Sequence, residues 1–510
     1  MSAGEELGVV AAGHPLSAQA GADVLRDGGN AVDGALAAML ASFVCEPLLT
    51  GLGAGGYMLV VIPDRPPVLL DFFVASPGRD TAGASRADLL PIRISFGDAV
   101  QVFNIGVASA GCYGMPAGIC EASRRFGRLA LERLVAPAAA LARDGVQLTP
   151  GQAYIIELLG GIVTSTPECA ALFAPQGTLL RTGDRMQQPE LAEALERLGR
   201  EGSQPFYEGD IAAAVAAWLQ ARGGLVSRED LAAYEVIDRE PIRVGYRGRE
   251  VLTNPPPSPG GLLIARALVM LTQTGGPPAV TDIATVIEQT QRARTPAFLA
   301  GLEDPAFAAR FLSGEDGGGA ADAEQPSRLG STTHISVLDA EGAACSVTCS
   351  NGSASGVVVP GTGVHLNNML GEQDLNPAGF HRHPSGRRMP SMMSPTVVLA
   401  DGTPVLAVGS AGSNRIRSAI LQTVVRSIDE GLSASAAVDA PRLHWEDGVV
   451  YTEPGIDGDA LAAAGYELAP FRERNLFFGG AQAAARDVAG RFSGGGDPRR
   501  GGASIVVTRP

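Results

Sequence analysis

Two stretches in the second half of the chain fix its fold class. "THISVLDAEGAACSVTCS" (Thr333 to Ser350) sets Ile335 and Val337 on one arm against Cys345, Val347 and Cys349 on the other, around a turn at Asp339–Gly342. "PTVVLADGTPVLAVGS" (Pro395 to Ser410) repeats the design around Asp401-Gly402. Alternation with period two on either side of a Gly/Asp turn is the pattern of a β-hairpin. Helical periods flank these hairpins. "HPLSAQAGADVLRDGG" puts Ala18, Ala22 and Leu25 on one face and stops at Gly28-Gly29, and Asn30 then caps a second helix, "AVDGALAAMLASFV". Helical patterns also cover Pro116–Arg143, Pro189–Leu231, "LLIARALVML" after the broken strand of Tyr246–Gly261, and Ile416–Ile428. Strands in the middle with helices before and after predict a layered α/β body of the order α/β/β/α.

Composition narrows the function classes. Of 510 residues 45% are hydrophobic and 18% charged, the profile of a globular chain with a large core. The formal charge of -15 argues against a nucleic-acid partner, which needs clustered Lys and Arg, and against an anionic membrane surface. The start, "MSAGEELGVVAAGH", has no basic segment before an apolar run, so a cytoplasmic location is expected. The most apolar stretch, Ala31–Val44, is too short to span a bilayer and contains Asp33. The six cysteines (Cys45, Cys112, Cys120, Cys169, Cys345, Cys349) lack CxxC spacing, and His381 and His383 are a weak pair; neither a metal nor a cofactor is expected.

One motif misleads. Gly51, Gly53 and Gly56 match GxGxxG, but the dinucleotide fingerprint runs strand, glycines, helix. Here a helix precedes and a strand (Tyr57–Ile62) follows, so the glycines are read as permitting close backbone packing.

The chemistry gathers at "GSTTHISVLDAEG" (Gly330 to Gly342). Residues 313–330 are rich in Gly, Ala and acids, the composition of a flexible surface segment. A threonine entering a buried strand after such a segment has two readings. It is a strand starter, or it becomes the first residue of a new chain. A threonine freed by a backbone cut carries its own base, because its α-amine has a pKa of about 7.7–8.0 beside the hydroxyl.

The segments "HPLSAQAGADVLRDGGNAVDGALAA", "GLGAGGYML", "FYEGD", "LVSREDLAAYEV", "PPPSPGG", "TTHISVLDAEG", "GSASGVVVPGTGVHLNNML", "SMMSPTVV" and "GSAGSNRI" occur in collinear order from about Gly8 to Gly502. In this the chain resembles the γ-glutamyltranspeptidase (γ-glutamyltransferase) family of N-terminal nucleophile (Ntn) hydrolases. The resemblance implies a four-layer αββα sandwich, formed by a large subunit (1–331, ending in the flexible segment 313–331) and a small subunit (332–510) cut from one precursor. A homodimer of such heterodimers is the oligomer it allows.

It also implies site residues. Thr332 becomes the nucleophile, with Thr333 following it into the strand, and Ser350 stands where the family has a threonine bonded to the nucleophile. Gly412 and Ser413 fall on the family's Gly-Gly, whose backbone N–H groups form an oxyanion hole worth about 2.7–4 kcal/mol per donor. Recognition of the substrate differs. Phe73 in "LDFFV" occupies the place of the Arg that binds the substrate's α-carboxylate, Ser391-Met392 replaces Ser-Ser, and Glu372 replaces the Asp that holds the α-ammonium. The family Asn after the Ser350 position is matched neither by Asn351 nor by Gly352 without a shift. Losing a charged partner and a hydroxyl forfeits bonds of about 1.5–3 kcal/mol each, so a small amino-acid-like substrate other than glutathione is expected.

Arg387 or Arg388, in the basic run "FHRHPSGRRMPS", is a candidate replacement for the lost Arg, with a solvated loop as the bland reading. Arg415, His334 and His14 are read as structural. The leading function is thus a self-processing threonine hydrolase or acyltransferase. Alternatives are a relative recruited to secondary metabolism as an acylase or C–C bond hydrolase, and a non-catalytic scaffold.

Overall fold

The computed structural model describes residues 5–79, 86–95, 100–315, 331–377 and 379–509. The flexible segment expected over 313–331 falls, apart from its two ends, outside the described residues. Two antiparallel sheets form the centre. Their strands in chain order are β1 (Glu6–Ala12), β2 (Gly55–Val61), β3 (Val68–Phe72), β4 (Ile237–Arg239), β5 (Ile242–Tyr246), β6 (Arg249–Thr253), β7 (Thr333–Asp339), β8 (Ala344–Ser350), β9 (Thr396–Ala400), β10 (Thr403–Ala411), β11 (Gly480–Arg486), β12 (Phe492–Gly496) and β13 (Ala503–Thr508). The first sheet has the order β13-β1-β7-β8-β2-β3-β4 and the second β12-β11-β10-β9-β6-β5. Five helices matter here: α1 (Pro15–Arg26), α2 (Ala31–Cys45), α3 (Pro150–Leu158), α4 (Pro259–Leu271) and α5 (Arg415–Asp429). α1 and α2 cover the outer face of the first sheet, the two sheets pack face to face, and α4 and α5 cover the second. The α/β class and the antiparallel hairpins are as expected.

The hairpin β7–β8 shows why the sequence alternates as it does. Ile335 pairs with Val347 and Val337 with Cys345, and these side chains join the core beneath α1 and α2. The opposite face carries His334, Ser336, Ser346 and Thr348, all buried against the second sheet. A strand buried on both faces must satisfy its polar groups internally. His334 Nδ1 bonds the Thr348 hydroxyl at 2.7 Å and Nε2 the Ser336 hydroxyl at 2.9 Å. Burial pushes the His334 imidazole down to about 3, so it is neutral.

Local chemistry then ties the layers together. Asn30 caps α2 in a capping box with Asp33, and the turn residue Asp339 accepts the Ala31 N–H at 2.9 Å. The helical region expected over Pro116–Arg143 is two helices, Met115–Phe126 and Leu131–Asp144: Gly127 turns the chain into an extended conformation, and the Asp33 carboxylate accepts the Arg128 N–H at 3.0 Å between them. Before the helix read from His14 onward, the opening segment forms the inner strand β1, between β7 and β13 of the first sheet. Gly53 and Gly56 permit close approach: a Cβ would lie 2.2 Å from the His365 carbonyl oxygen and 2.6 Å from that of Thr348. No described helix is long and apolar enough to cross a membrane.

Candidate active site

Thr333 opens β7 opposite Cys349 of β8, so Thr332 and Ser350 meet at the same end of the hairpin. Both are buried, each about 5% exposed. The Thr332 hydroxyl donates to Ser350 Oγ at 3.3 Å. Ser350 Oγ donates in turn to the Ser331 carbonyl at 2.6 Å and accepts the Gly352 N–H at 3.0 Å. One serine thus holds both the hydroxyl after the 331–332 peptide bond and the carbonyl before it.

The next residue faces the other way, as strand alternation requires. Thr333 Oγ1 lies 3.1 Å from both carboxyl oxygens of Glu46, the C-cap residue just after α2. Gly13 closes over this contact, where a Cβ would come within 2.5 Å of Glu46 Oε1 and 2.6 Å of Thr333 Oγ1. Burial raises the Glu46 carboxyl to about 7, opposed by the Thr333 bond and by the charge of Arg500.

Glu372 reaches the loop that follows Ser350. Its Oε1 accepts from Ser353 Oγ at 3.1 Å and from Asn368 Nδ2 at 3.0 Å, and Ser353 lies three residues beyond Ser350. Two residues on, Asp374 accepts the Ser413 hydroxyl at 3.1 Å. Gly412 (φ 123°) and Ser413 (φ 52°) both take left-handed backbone conformations between β10 and α5. The Arg415 and Ile416 N–H groups bond back to their carbonyls, so the pair sits at the positive end of a fifteen-residue helix. Asn414 joins this loop to a buried charge network through Arg294 (3.1 Å) and Glu446 (2.9 Å).

The residues assigned to substrate recognition sit differently. Phe73 is wholly buried and stacked on Tyr57, with ring centroids 5.4 Å apart. Its main chain packs against Gly55, the β2 partner of Ser350, but its ring belongs to the core between the sheets. Arg388 is also buried. Its Nε lies 3.3 Å from Asp71 Oδ1, its guanidinium stacks 4.3 Å from the centre of the Tyr234 ring, and it donates to the Glu235 carbonyl. Arg387 is paired with Glu303 at the surface. Ser391 Oγ accepts the Met393 N–H at 3.1 Å, its carbonyl accepts the Ser258 hydroxyl, and Met392 is buried beside it. Asn351 is fully buried and braces the loop, donating to the His365 carbonyl at 3.3 Å.

Hydrogen bonds therefore connect Thr332 to Ser350, Ser353 to Glu372, and Ser413 to Asp374, while Phe73 and Arg388 gather around Asp71. Sequence reasoning missed Glu46, Ser353, Asp374 and Arg500. Of these only Glu46, following the cysteine that ends an apolar helix, stands out as an acid next to core. Among the described residues no cluster of three or more His, Cys, Asp or Glu could hold a metal.

Residues 17–507 match the family model described as gamma-glutamyltranspeptidase. The chain is 32% identical to an acylase ACY 1 proenzyme of Pseudomonas sp. (strain SE83), over 98% of this chain and 94% of that protein. It is equally, 32%, identical to a glutathione hydrolase proenzyme of Escherichia coli (strain K12), over 96% of this chain and 90% of that one. The crystal structure of a cephalosporin acylase from Bacillus halodurans superimposes with a TM-score of 0.82 at 26% identity, covering 98% of this chain and 96% of that one. With its fold and nearly its whole length accounted for in this way, the chain belongs to the gamma-glutamyltranspeptidase family of enzymes.

Proposed function

We propose that this enzyme cuts its own chain between Ser331 and Thr332 and uses Thr332 as an N-terminal nucleophile on the amide bond of a small substrate. The observation that carries the reading is the pair of bonds made by Ser350. In the uncut chain Thr332 Oγ attacks the Ser331 carbonyl carbon, and the negative charge develops on the oxygen to which Ser350 already donates at 2.6 Å. The C–N bond breaks, the nitrogen takes the hydroxyl proton, and an ester joins Ser331 to Thr332. Water hydrolyses the ester, leaving a carboxylate at Ser331 and a free amine on Thr332. That amine then serves as the base for the same hydroxyl. A substrate amide forms an acyl-Thr332 ester and releases its amine; water or a second amine takes the acyl group. The backbone N–H groups of Gly412 and Ser413, at the start of α5, are the donors for the substrate's oxyanion.

Substrate recognition is proposed to depart from glutathione. A γ-glutamyl group brings an ammonium and a carboxylate. Here the position of the carboxylate-binding Arg is the buried Phe73, and Arg388 is engaged by Asp71. An acylase role is the second reading, favoured by that same replacement. The two named proenzymes are equally similar to this chain, so identity does not choose between them.

Denaturing electrophoresis and sequencing of the smaller product test the processing. Pieces 1–331 and 332–510 are expected, the latter beginning at Thr332, and Thr332→Ala is expected to stay whole and inactive. Active enzyme recovered uncut would overturn the reading.

A further inference from the structure

Asn414 directly follows the two oxyanion donors proposed above, and it is wholly buried. Both ends of its amide are engaged. Its Oδ1 accepts from Arg294 Nη1 at 3.1 Å, and its Nδ2 donates to Glu446 Oε1 at 2.9 Å. A cation on the oxygen and a carboxylate on the nitrogen permit one orientation of that side chain. A flipped amide would set its N–H groups against the guanidinium and its oxygen against the carboxylate. Arg294 and Glu446 are buried too.

The stretch of chain that carries Arg294 grips the same place twice more. Gln291 Oε1 accepts from Arg417 in the first turn of α5. The Arg292 guanidinium stacks 5.3 Å from the centre of the Trp445 ring, next to Glu446. The end of the helix Val280–Arg292, with Arg294 just beyond it, thus clasps the start of α5. Burial pulls the Arg294 guanidinium down from its ordinary range, and the charges of Asp374 and Glu446 oppose that. Asp374 is the acceptor of the Ser413 hydroxyl, so Arg294 acts on the groups that hold both Ser413 and Asn414.

The loop requires such anchoring. Ser413 keeps φ at 52°, a conformation that a residue with a side chain holds only where its surroundings impose it. With Asn414 released, Ser413 would relax and carry the adjacent N–H groups away from the oxyanion. The order of these residues along the chain gives the contact its meaning. Arg294 precedes the 331–332 bond, whereas Gly412, Ser413, Asn414 and Glu446 follow it. In the cut enzyme the larger piece reaches across to set the oxyanion loop of the smaller one.

We propose that Arg294 is a positioning residue for the oxyanion loop, acting through Asn414, so that the larger piece contributes to turnover and not to shape alone. This rests on the Thr332 reading above and adds a residue to its machinery. Arg294 exchanges no proton and forms no bond with the substrate. Self-cleavage does not draw on it, because the donor on the Ser331 carbonyl is the Ser350 hydroxyl.

That difference supplies the test. Arg294→Met and the wild type are compared in self-cleavage, followed by electrophoresis, and in turnover of acetyl- and γ-glutamyl-4-nitroanilide by the cut enzyme. Self-cleavage is expected within about threefold of wild type, which also shows that the variant folds around Thr332. An oxyanion bond is made in the transition state, so the loss should fall on kcat, at least about tenfold, and leave KM within about threefold for both anilides. Asn414→Ala should show the same split, and the double variant should lose little more than either single one. If Arg294→Met does not fold, Asn414→Ala carries the comparison alone. If neither anilide is turned over, acylation of the 332–510 piece by 4-nitrophenyl acetate, read by mass spectrometry, takes the place of kcat. Wild-type kcat in the variants, equal losses in self-cleavage and turnover, or a loss carried by KM would overturn the proposal and leave the Thr332 reading standing. Wild-type protein that stays whole, or is not acylated at Thr332, would overturn that reading and this proposal with it.

Discussion

The Thr332 hydroxyl points at Ser350 Oγ from 3.3 Å, across a strand pair whose register brings together residues eighteen positions apart. The turn at Asp339–Gly342 sets that register, and Asp339 fixes it by accepting the Glu341 and Ala343 N–H groups at 3.0 and 2.9 Å. A slip of one residue would send Thr332 to the face of the sheet occupied by Glu46 and Thr333.

Ser350→Ala removes the donor on the Ser331 carbonyl. Loss of one such donor typically costs about 10²–10³-fold in rate. Self-cleavage followed by electrophoresis should slow by that order, and Ser350→Thr, which keeps the hydroxyl, should cut within about tenfold of the wild-type rate. Cleavage by Ser350→Ala at the wild-type rate would remove Ser350 from the mechanism.

Ser413 holds a left-handed conformation (φ 52°) that glycine adopts without penalty. Its proposed contribution is a backbone N–H. Ser413→Gly should therefore keep turnover within about threefold and should not lower the melting temperature, although the bond to Asp374 is lost. A hundredfold loss would show that the hydroxyl itself takes part.

Arg388→Met separates the structural role of that arginine from a role in substrate binding. Asp71 is fully buried and keeps Arg239 at 2.7 Å, so the loss should fall toward the lower part of the about 3–5 kcal/mol typical of a broken buried pair. Denaturant unfolding measures it. The ratio of γ-glutamyl- to acetyl-4-nitroanilide turnover should stay constant in the variant; a changed ratio would place Arg388 against the substrate.

Glu46 and His334 give opposite pH dependences. The Glu46 carboxyl is raised from 4.5 to about 7 by burial, so its contribution is fully present below 4.5 and is lost as pH rises through 7. The His334 imidazole is lowered from 6.5 to about 3, so its contribution is present above 6.5 and is lost as pH falls toward 3. Glu46→Gln should flatten the loss between pH 4.5 and 7, by about 3 kcal/mol at most. Thermal melts at pH 4.5, 6 and 7.5, wild type against variant, would show it; parallel profiles would mean that Glu46 does not titrate in that window.

The sequence by itself determined what depends on neighbours along the chain. The alternation of Ile335 and Val337 against Cys345 and Val347, the Asn30 cap, and the helix-first order that excludes a dinucleotide site at Gly51–Gly56 are all local patterns, set by backbone geometry and side-chain period. The family motifs brought Thr332 and Ser350 to attention together because one hairpin carries both.

The tertiary structure decided what depends on burial and on residues far apart. Glu46 meets Thr333 across 287 positions, and Arg388 reaches the main chain of Asp71 across 317. β1 pairs with β13, so that Ala12 lies opposite Ala503 and Val10 opposite Ile505. An arginine reads the same in sequence whether it lies in solvent or beside a buried aspartate; only packing sets the dielectric around it and the partner it finds. A cavity beside Ser331 has no local pattern either, because its walls come in large part from the end of α2, from α3 and from the loop before β13.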